Sequence, residues 1–317
     1  MDTEHKKIYS IFYPRYLEKI KQISDEKLKF VQYTSAESAV EIIRKGEVWL
    51  RNSQCMNDFS EVHHGLDCLV KSYNTGDQGR LFKDILDEMY PGITDRLSSL
   101  FDSWASSFKA NTYLACVSEH PLEENEYGRL SMWRAYGGDR PVAIVLNHEP
   151  FTNTTDAFKA YSHPVHYVNH EDFRKEFQSI TARIRKNFGF IQGLGESRVT
   201  NNLFDLFKTT ALCSKHPGFK EEREWRVVYT PEQETSQHIK TSIETINAVP
   251  QEICKIPLKD IPDEGVVGLS VPEFIDRIII GPNDQEEVMK KTFEKLLGEA
   301  GCERPEEKVF VSGIPLR

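Results

Sequence analysis

A chain of 317 residues, 39% of them hydrophobic, can bury a sizeable core and fold without a disulfide framework. Its net charge of −9 argues against broad, nonspecific adhesion to nucleic acid or anionic lipid, though a local basic patch would survive that average, and the basic residues near the N-terminus (Lys6, Lys7, Arg15, Lys19, Lys21, Lys27) read as the solvated face of a helix in preference to a nucleic-acid arm. Six scattered cysteines without a C-x-x-C pair, no apolar leader and no run near the roughly 20 apolar residues of a membrane span predict a reduced, cytoplasmic protein without structural zinc.

Residues 1–29 read as an amphipathic helical lead-in, with Tyr9, Ile11, Phe12, Tyr16, Leu17 and Ile20 among lysines. Phe30, Val31 and Tyr33 predict a strand; Thr34 with Glu37 reads as a capping box for a helix that Gly46 ends. Val48-Trp49-Leu50 predict a second strand, and Asp58 with Glu61 a second capping box. A helix follows through Tyr73, then two more divided near Pro91-Gly92. Strands are expected over Thr112–Ser118, Val142–Leu146 and near Val165–Tyr167, with a short helix around Leu130–Tyr136.

The longest helical patterns run over Glu171–Phe188 and Arg198–Leu212. Pro231–Pro250 reads as polar and irregular; strands near Ile253–Ile256, Ile275–Ile280 and Val309–Val311 and a helix over Glu286–Leu297 complete the chain. Helices and strands intermingle without steady alternation, so the expected fold is α+β, a mixed sheet core with several helical insertions, as a single domain over 30–317. The sequence holds no G-x-G-x-x-G, no G-x-x-x-x-G-K-[ST] and no G-x-S-x-G, which removes support from ordinary dehydrogenase, kinase and hydrolase readings.

Lys215 to Arg226 concentrates charge at the approach to the apolar run Val227-Val228-Tyr229. Charged groups at the mouth of a strand must be paired or put to use. On one continuous strand Glu222, Glu224 and Arg226 share a face, while Trp225 turns into the core. Arg226 suits a bidentate grip on a carboxylate or phosphate, and Lys215 with His216 before a Pro-Gly turn could touch a phosphate; ion pairing among these residues is the bland alternative.

Trp133 and Tyr136, i and i+3 on a helix, could stack on a ring or simply fill the core, and Tyr33 has the same two readings. Asn57, Asp58 and Glu61 mark a helix start that is either an ordinary cap or an anion-friendly N-terminus. His64 and Cys68 have the i, i+4 spacing of a metal pair, but no third donor stands nearby in the sequence and no metal is expected.

Taken in order, these signals resemble the bacterial family called domain of unknown function 2971. The resemblance rests on Tyr33-Thr34-Ser35 with Gly46, Val48-Trp49-Leu50 with Asn57-Asp58 and Glu61, Ser118, Met132-Trp133, Tyr136-Gly137, Glu222 to Arg226, Ile278 to Pro282 and Ser312 to Pro315. Phe59 and Ser60 depart from that family's usual Pro-Phe.

Two short pieces, the first strand–helix–Gly–strand and the late strand with close glutamates, are also similar to ADP-ribosyltransferases of the DNA-modifying toxin type. That second resemblance implies an ADP-ribosyltransferase-like core, NAD as substrate and a nucleic-acid or protein acceptor, in phage defence or a toxin system. Glu224 and Glu222 would be catalytic; Tyr33, Trp133, Tyr136, Arg226, Asn57, Asp58 and Lys215 would bind the nucleotide. The alternative, from another class, is a non-catalytic module of a defence or stress system that senses a ligand or docks a protein partner.

Overall fold

The computed structural model describes residues 2–55, 59–153, 155–246 and 248–315, with the backbone alone for 59–62 and 107–110. The chain begins with helices α1 (Thr3–Phe12) and α2 (Pro14–Glu26), then β1 (Lys29–Ser35), α3 (Ala36–Lys45) and β2 (Glu47–Asn52). Helices α4 (Phe59–Asn74), α5 (Gly76–Met89) and α6 (Ile93–Asn111) precede β3 (Tyr113–His120), α7 (Leu130–Tyr136) and β4 (Pro141–Leu146). Next come α8 (Glu149–Thr152), β5 (Ala160–Pro164), β6 (His166–Tyr167), α9 (His170–Lys186), α10 (Phe188–Gly193) and α11 (Glu196–Leu212). The last part holds β7 (Ser214–Lys215), β8 (Glu224–Tyr229), β9 (Lys240–Ile246), β10 (Val249–Pro257), α12 (Val271–Phe274), β11 (Ile275–Ile280), α13 (Glu286–Glu299) and β12 (Val309–Val311).

These elements form two compact units, one of 1–19, 52–112 and 163–223, the other of 20–51, 113–162 and 224–317. The N-terminal lead-in is helical and is divided between them. The first unit is mainly helical, and its core is aromatic. Phe207 lies edge-on to Tyr73 at 5.4 Å and to Phe101 at 5.7 Å between ring centroids, and Phe82 sits 4.9 Å from Phe177. Rings so arranged add specific edge-to-face attraction to their burial.

The second unit carries the sheet, whose strands run β12-β11-β4-β1-β3-β2-β10-β9, with β8 paired to β3 and to β5. β11 and β12 are parallel and β1 is antiparallel to both β3 and β4, so the sheet is mixed and the fold is α+β. Phe30 packs edge-on to Trp225 at 5.2 Å on one face; Val31, Tyr33, Met132, Trp133, Ala143, Val145 and Ile279 cluster on the other. That alternation is the period of two expected of a sheet covered on both sides.

Two local expectations need correction, and a third falls where the structure says nothing of it. Ser35 rather than Thr34 caps α3, its hydroxyl accepting from the Ser38 amide at 3.2 Å, while Gly46 ends that helix in the left-handed region at φ 59° as expected. The stretch taken as irregular contains β9, a strand with mostly exposed side chains beside β10; the apolar signal that marks core strands is weak there. The Asp58–Glu61 capping box lies outside the described residues, since 56–58 and the side chains of 59–62 are not described. Among the described residues, no helix is long and apolar enough to cross a membrane.

Candidate functional site

β8 begins at Glu224 with two charged side chains that point the same way and are withdrawn from solvent. Glu224 is 5% exposed and Arg226 1%. The Arg226 Nε–H donates to Glu224 Oε1 at 2.8 Å, and Nη2 reaches Oε2 at 3.4 Å. Between them Trp225 turns to the opposite face, fully buried, and its indole N–H donates to Glu119 Oε1 at 3.0 Å. The core anchor expected at Trp225 is therefore present, and it fixes the phase of the strand.

β3 links this strand to β1. Ser118 stands opposite Glu224 on β8 and opposite Val31 on β1. Directly opposed residues project to one face, as do residues two apart on a strand. Tyr33, Val31, Ser118, His120, Glu224 and Arg226 therefore share one face of the sheet. Two strand spacings, about 10 Å, separate the row of Tyr33 from that of Glu224.

Tyr33 is held there by its hydroxyl, which accepts from the Arg129 backbone N–H at 2.7 Å, and by the edge of Trp133, 4.7 Å away between ring centroids. Trp133 donates its indole N–H to the Tyr127 carbonyl at 2.8 Å and is 4% exposed, so it serves as core support beneath Tyr33. Tyr136, three residues on, is 36% exposed, the more open of the two rings. The Arg129 guanidinium grips Glu124 at 2.9 and 3.0 Å and also donates to the Glu119 carbonyl at 2.9 Å.

Glu222 does not share the strand face. It closes a short 3-10 helix, Pro217–Glu222, and Arg223 then enters the left-handed region at φ 46°, which breaks the two-residue period before β8 starts. Glu222 instead accepts from Lys215 Nζ at 2.6 Å. Lys215, expected in a loop, is fully buried in β7, with its ammonium 5.1 Å from the Phe219 ring centroid. Asn57 and Asp58 lie outside the described residues.

Two residues on or beside this face carried no local signal. Arg129 follows a glycine at φ 65°; its guanidinium pairs with Glu124 five residues earlier, but the contact that places it on this face, its backbone N–H to the Tyr33 hydroxyl, spans 96 residues. His120 ends β3; burial holds its imidazole below the ordinary histidine range, its Nε2 lies 2.9 Å from Asn125 Oδ1, and its Nδ1 has no hydrogen-bond partner among the described residues.

The fold defines an α+β protein whose mixed sheet presents a buried carboxylate–guanidinium pair. Residues 132–227, from α7 through most of β8, match the model of a family described as a protein of unknown function (DUF2971). The resemblance drawn from the ordered motifs is supported over that segment. No curated protein and no solved structure matches the chain.

Proposed function

We propose that the protein uses NAD in an ADP-ribosyltransferase-like reaction, with the site on the sheet face that carries Tyr33, Ser118, Glu224 and Arg226. The observation that carries this reading is the register of three strands, Val31 opposite Ser118 opposite Glu224, which gives an aromatic hydroxyl, a serine, a carboxylate and a guanidinium one common face.

In such a reaction the bond between the ribose C1′ and nicotinamide breaks through an oxocarbenium-like state. The Glu224 carboxylate would accept from the ribose 2′-hydroxyl and stabilise the developing positive charge. An acceptor nucleophile then bonds to C1′ and gives up its proton, and nicotinamide leaves neutral; with water as acceptor the product is ADP-ribose. Arg226 would keep the carboxylate ionised and oriented, and Tyr136 is the ring with a surface to offer a base or nicotinamide.

A second reading is supported by the same ion pair. With both side chains buried and paired with each other, they can serve as internal bracing in a non-catalytic module that senses a ligand or docks a protein in a defence or stress system. The two readings separate in one assay. Purified protein is incubated with NAD, nucleic acids and cell lysate, and free nicotinamide and labelled acceptors are measured beside Glu224→Gln. Turnover that Glu224→Gln abolishes supports the enzyme; release no greater than in that variant leaves the non-catalytic module.

A further inference from the structure

The first unit brings a third potential metal ligand to a pair that the sequence already holds one helical turn apart. His64 and Cys68 lie one turn apart on α4, and His170 is the first residue of α9. Their donor atoms all lie within 4.8 Å of one another, with Cys68 Sγ 3.3 Å from His170 Nδ1 and 3.8 Å from His64 Nε2. For an ion bound tetrahedrally at ordinary zinc–nitrogen and zinc–sulfur lengths, an N···S edge is about 3.6 Å, between those two values.

The surroundings of His170 match the same purpose. Its Nδ1 faces the thiol, while its Nε2 lies 3.2 Å from Asp67 Oδ2, a carboxylate also held by Lys71 Nζ at 2.7 Å. A carboxylate on the far nitrogen of a ligating histidine fixes its tautomer and raises its basicity. The Asn169 side chain caps α9 through the Asp172 amide at 2.9 Å, which sets where His170 starts. The chain before it is tied down as well, since the Val168 amide donates to the Lys215 carbonyl at 2.9 Å.

We propose that His64, Cys68 and His170 form a binding site for a divalent transition-metal ion, zinc by ligand type, with an open fourth vertex for water. A thiolate with two imidazoles suits zinc better than magnesium or calcium, which favour oxygen donors. On binding, the Cys68 thiol releases its proton to solvent. His64 Nε2, now 2.7 Å from the Val168 carbonyl, gives up that contact and carries its proton on Nδ1. The His216 ring stands edge-on to His64 at 5.8 Å between centroids, and its Nδ1 accepts from the Gly218 amide at 3.2 Å.

The test is titration of metal-stripped, tag-free full-length protein with Co2+, followed by the near-ultraviolet thiolate-to-cobalt absorption and by displacement with Zn2+. The expected result is a band that saturates at one equivalent, is absent in Cys68→Ser and is unchanged in the control Cys55→Ser. His170→Ala, at an exposed position, and Asp67→Asn, which removes only the supporting carboxylate, should each weaken binding about 10-fold or more while circular dichroism stays that of the native protein. A native protein without the band, a band that survives Cys68→Ser, or affinities unmoved in both His170→Ala and Asp67→Asn would overturn the site.

Discussion

Arg226 and Glu224, two residues apart on one strand, form a 2.8 Å ion pair in which neither side chain reaches solvent appreciably. Taking two charges out of water is costly, and the attraction of each for the other offsets part of that cost. Loss of one partner should therefore do more damage than loss of both. Arg226→Met is expected to destabilise the protein by about 3 to 5 kcal/mol. Adding Glu224→Gln should recover most of that loss. Urea denaturation of the two single variants and the double variant measures the coupling; strictly additive losses would show that the pair is not a closed unit.

Tyr33→Phe removes one oxygen from the buried cluster and leaves the Arg129 amide without the acceptor that now lies 2.7 Å away. An unsatisfied buried donor costs about 1 to 3 kcal/mol, so the melting temperature should fall although the ring and its packing on Trp133 remain. An unchanged melting temperature would mean that water replaces the hydroxyl.

Gly281 lies where the end of β11 meets Trp133. A Cβ there would come within 2.8 Å of Pro141 Cγ and 2.9 Å of Trp133 Cε3. Gly281→Ala should cost about 1 to 3 kcal/mol through overpacking. Gly189 in α10 has nothing within 4 Å of an added Cβ, so Gly189→Ala should be neutral or stabilising by up to about 1 kcal/mol. Thermal melts of both variants compare the two environments, and an equal response would contradict the tight contact at Trp133.

Two histidines of the first unit predict acid sensitivity. Burial, with the charge of Lys208 nearby, pushes His163 down to about 4, and its ring sits 5.7 Å from Tyr16 and 6.4 Å from Tyr13. Burial and the charge of Arg15 push His166 down to about 3. Between the ordinary value of 6.5 and these lowered values, the unfolded chain binds protons that the folded chain refuses. Stability should be full above that range and decline as pH falls from about 6.5 towards 4, by up to about 3 kcal/mol for His163. His163→Gln should flatten the dependence of melting temperature on pH in that window. A profile identical to that of the native protein would rule out His163 as its source.

Much of the architecture was legible in local pattern. The strand at Phe30–Tyr33, the helix ended by Gly46, the break near Pro91-Gly92 and the core role of Trp225 all follow from periodicity and punctuation that a few neighbouring residues carry. Glu222 was misplaced because extending strand periodicity backwards assumes extended backbone at Arg223, and a single left-handed residue there cancels the assumption. β9 was missed because its side chains are mostly exposed, which leaves little of the apolar run that signals a core strand.

The sequence by itself determined which residues alternate and which recur at helical spacing, because those properties depend only on each segment's own geometry. It therefore placed Glu224 and Arg226 on one face, and His64 and Cys68 on one helical stripe. Tertiary structure alone decided what those faces meet. β3 aligns Ser118 with both Val31 and Glu224, and the start of α9 brings His170 to Cys68 from 102 residues away. Strand register and helix docking are set by the burial of whole surfaces, and no short window of sequence contains both partners of such a contact.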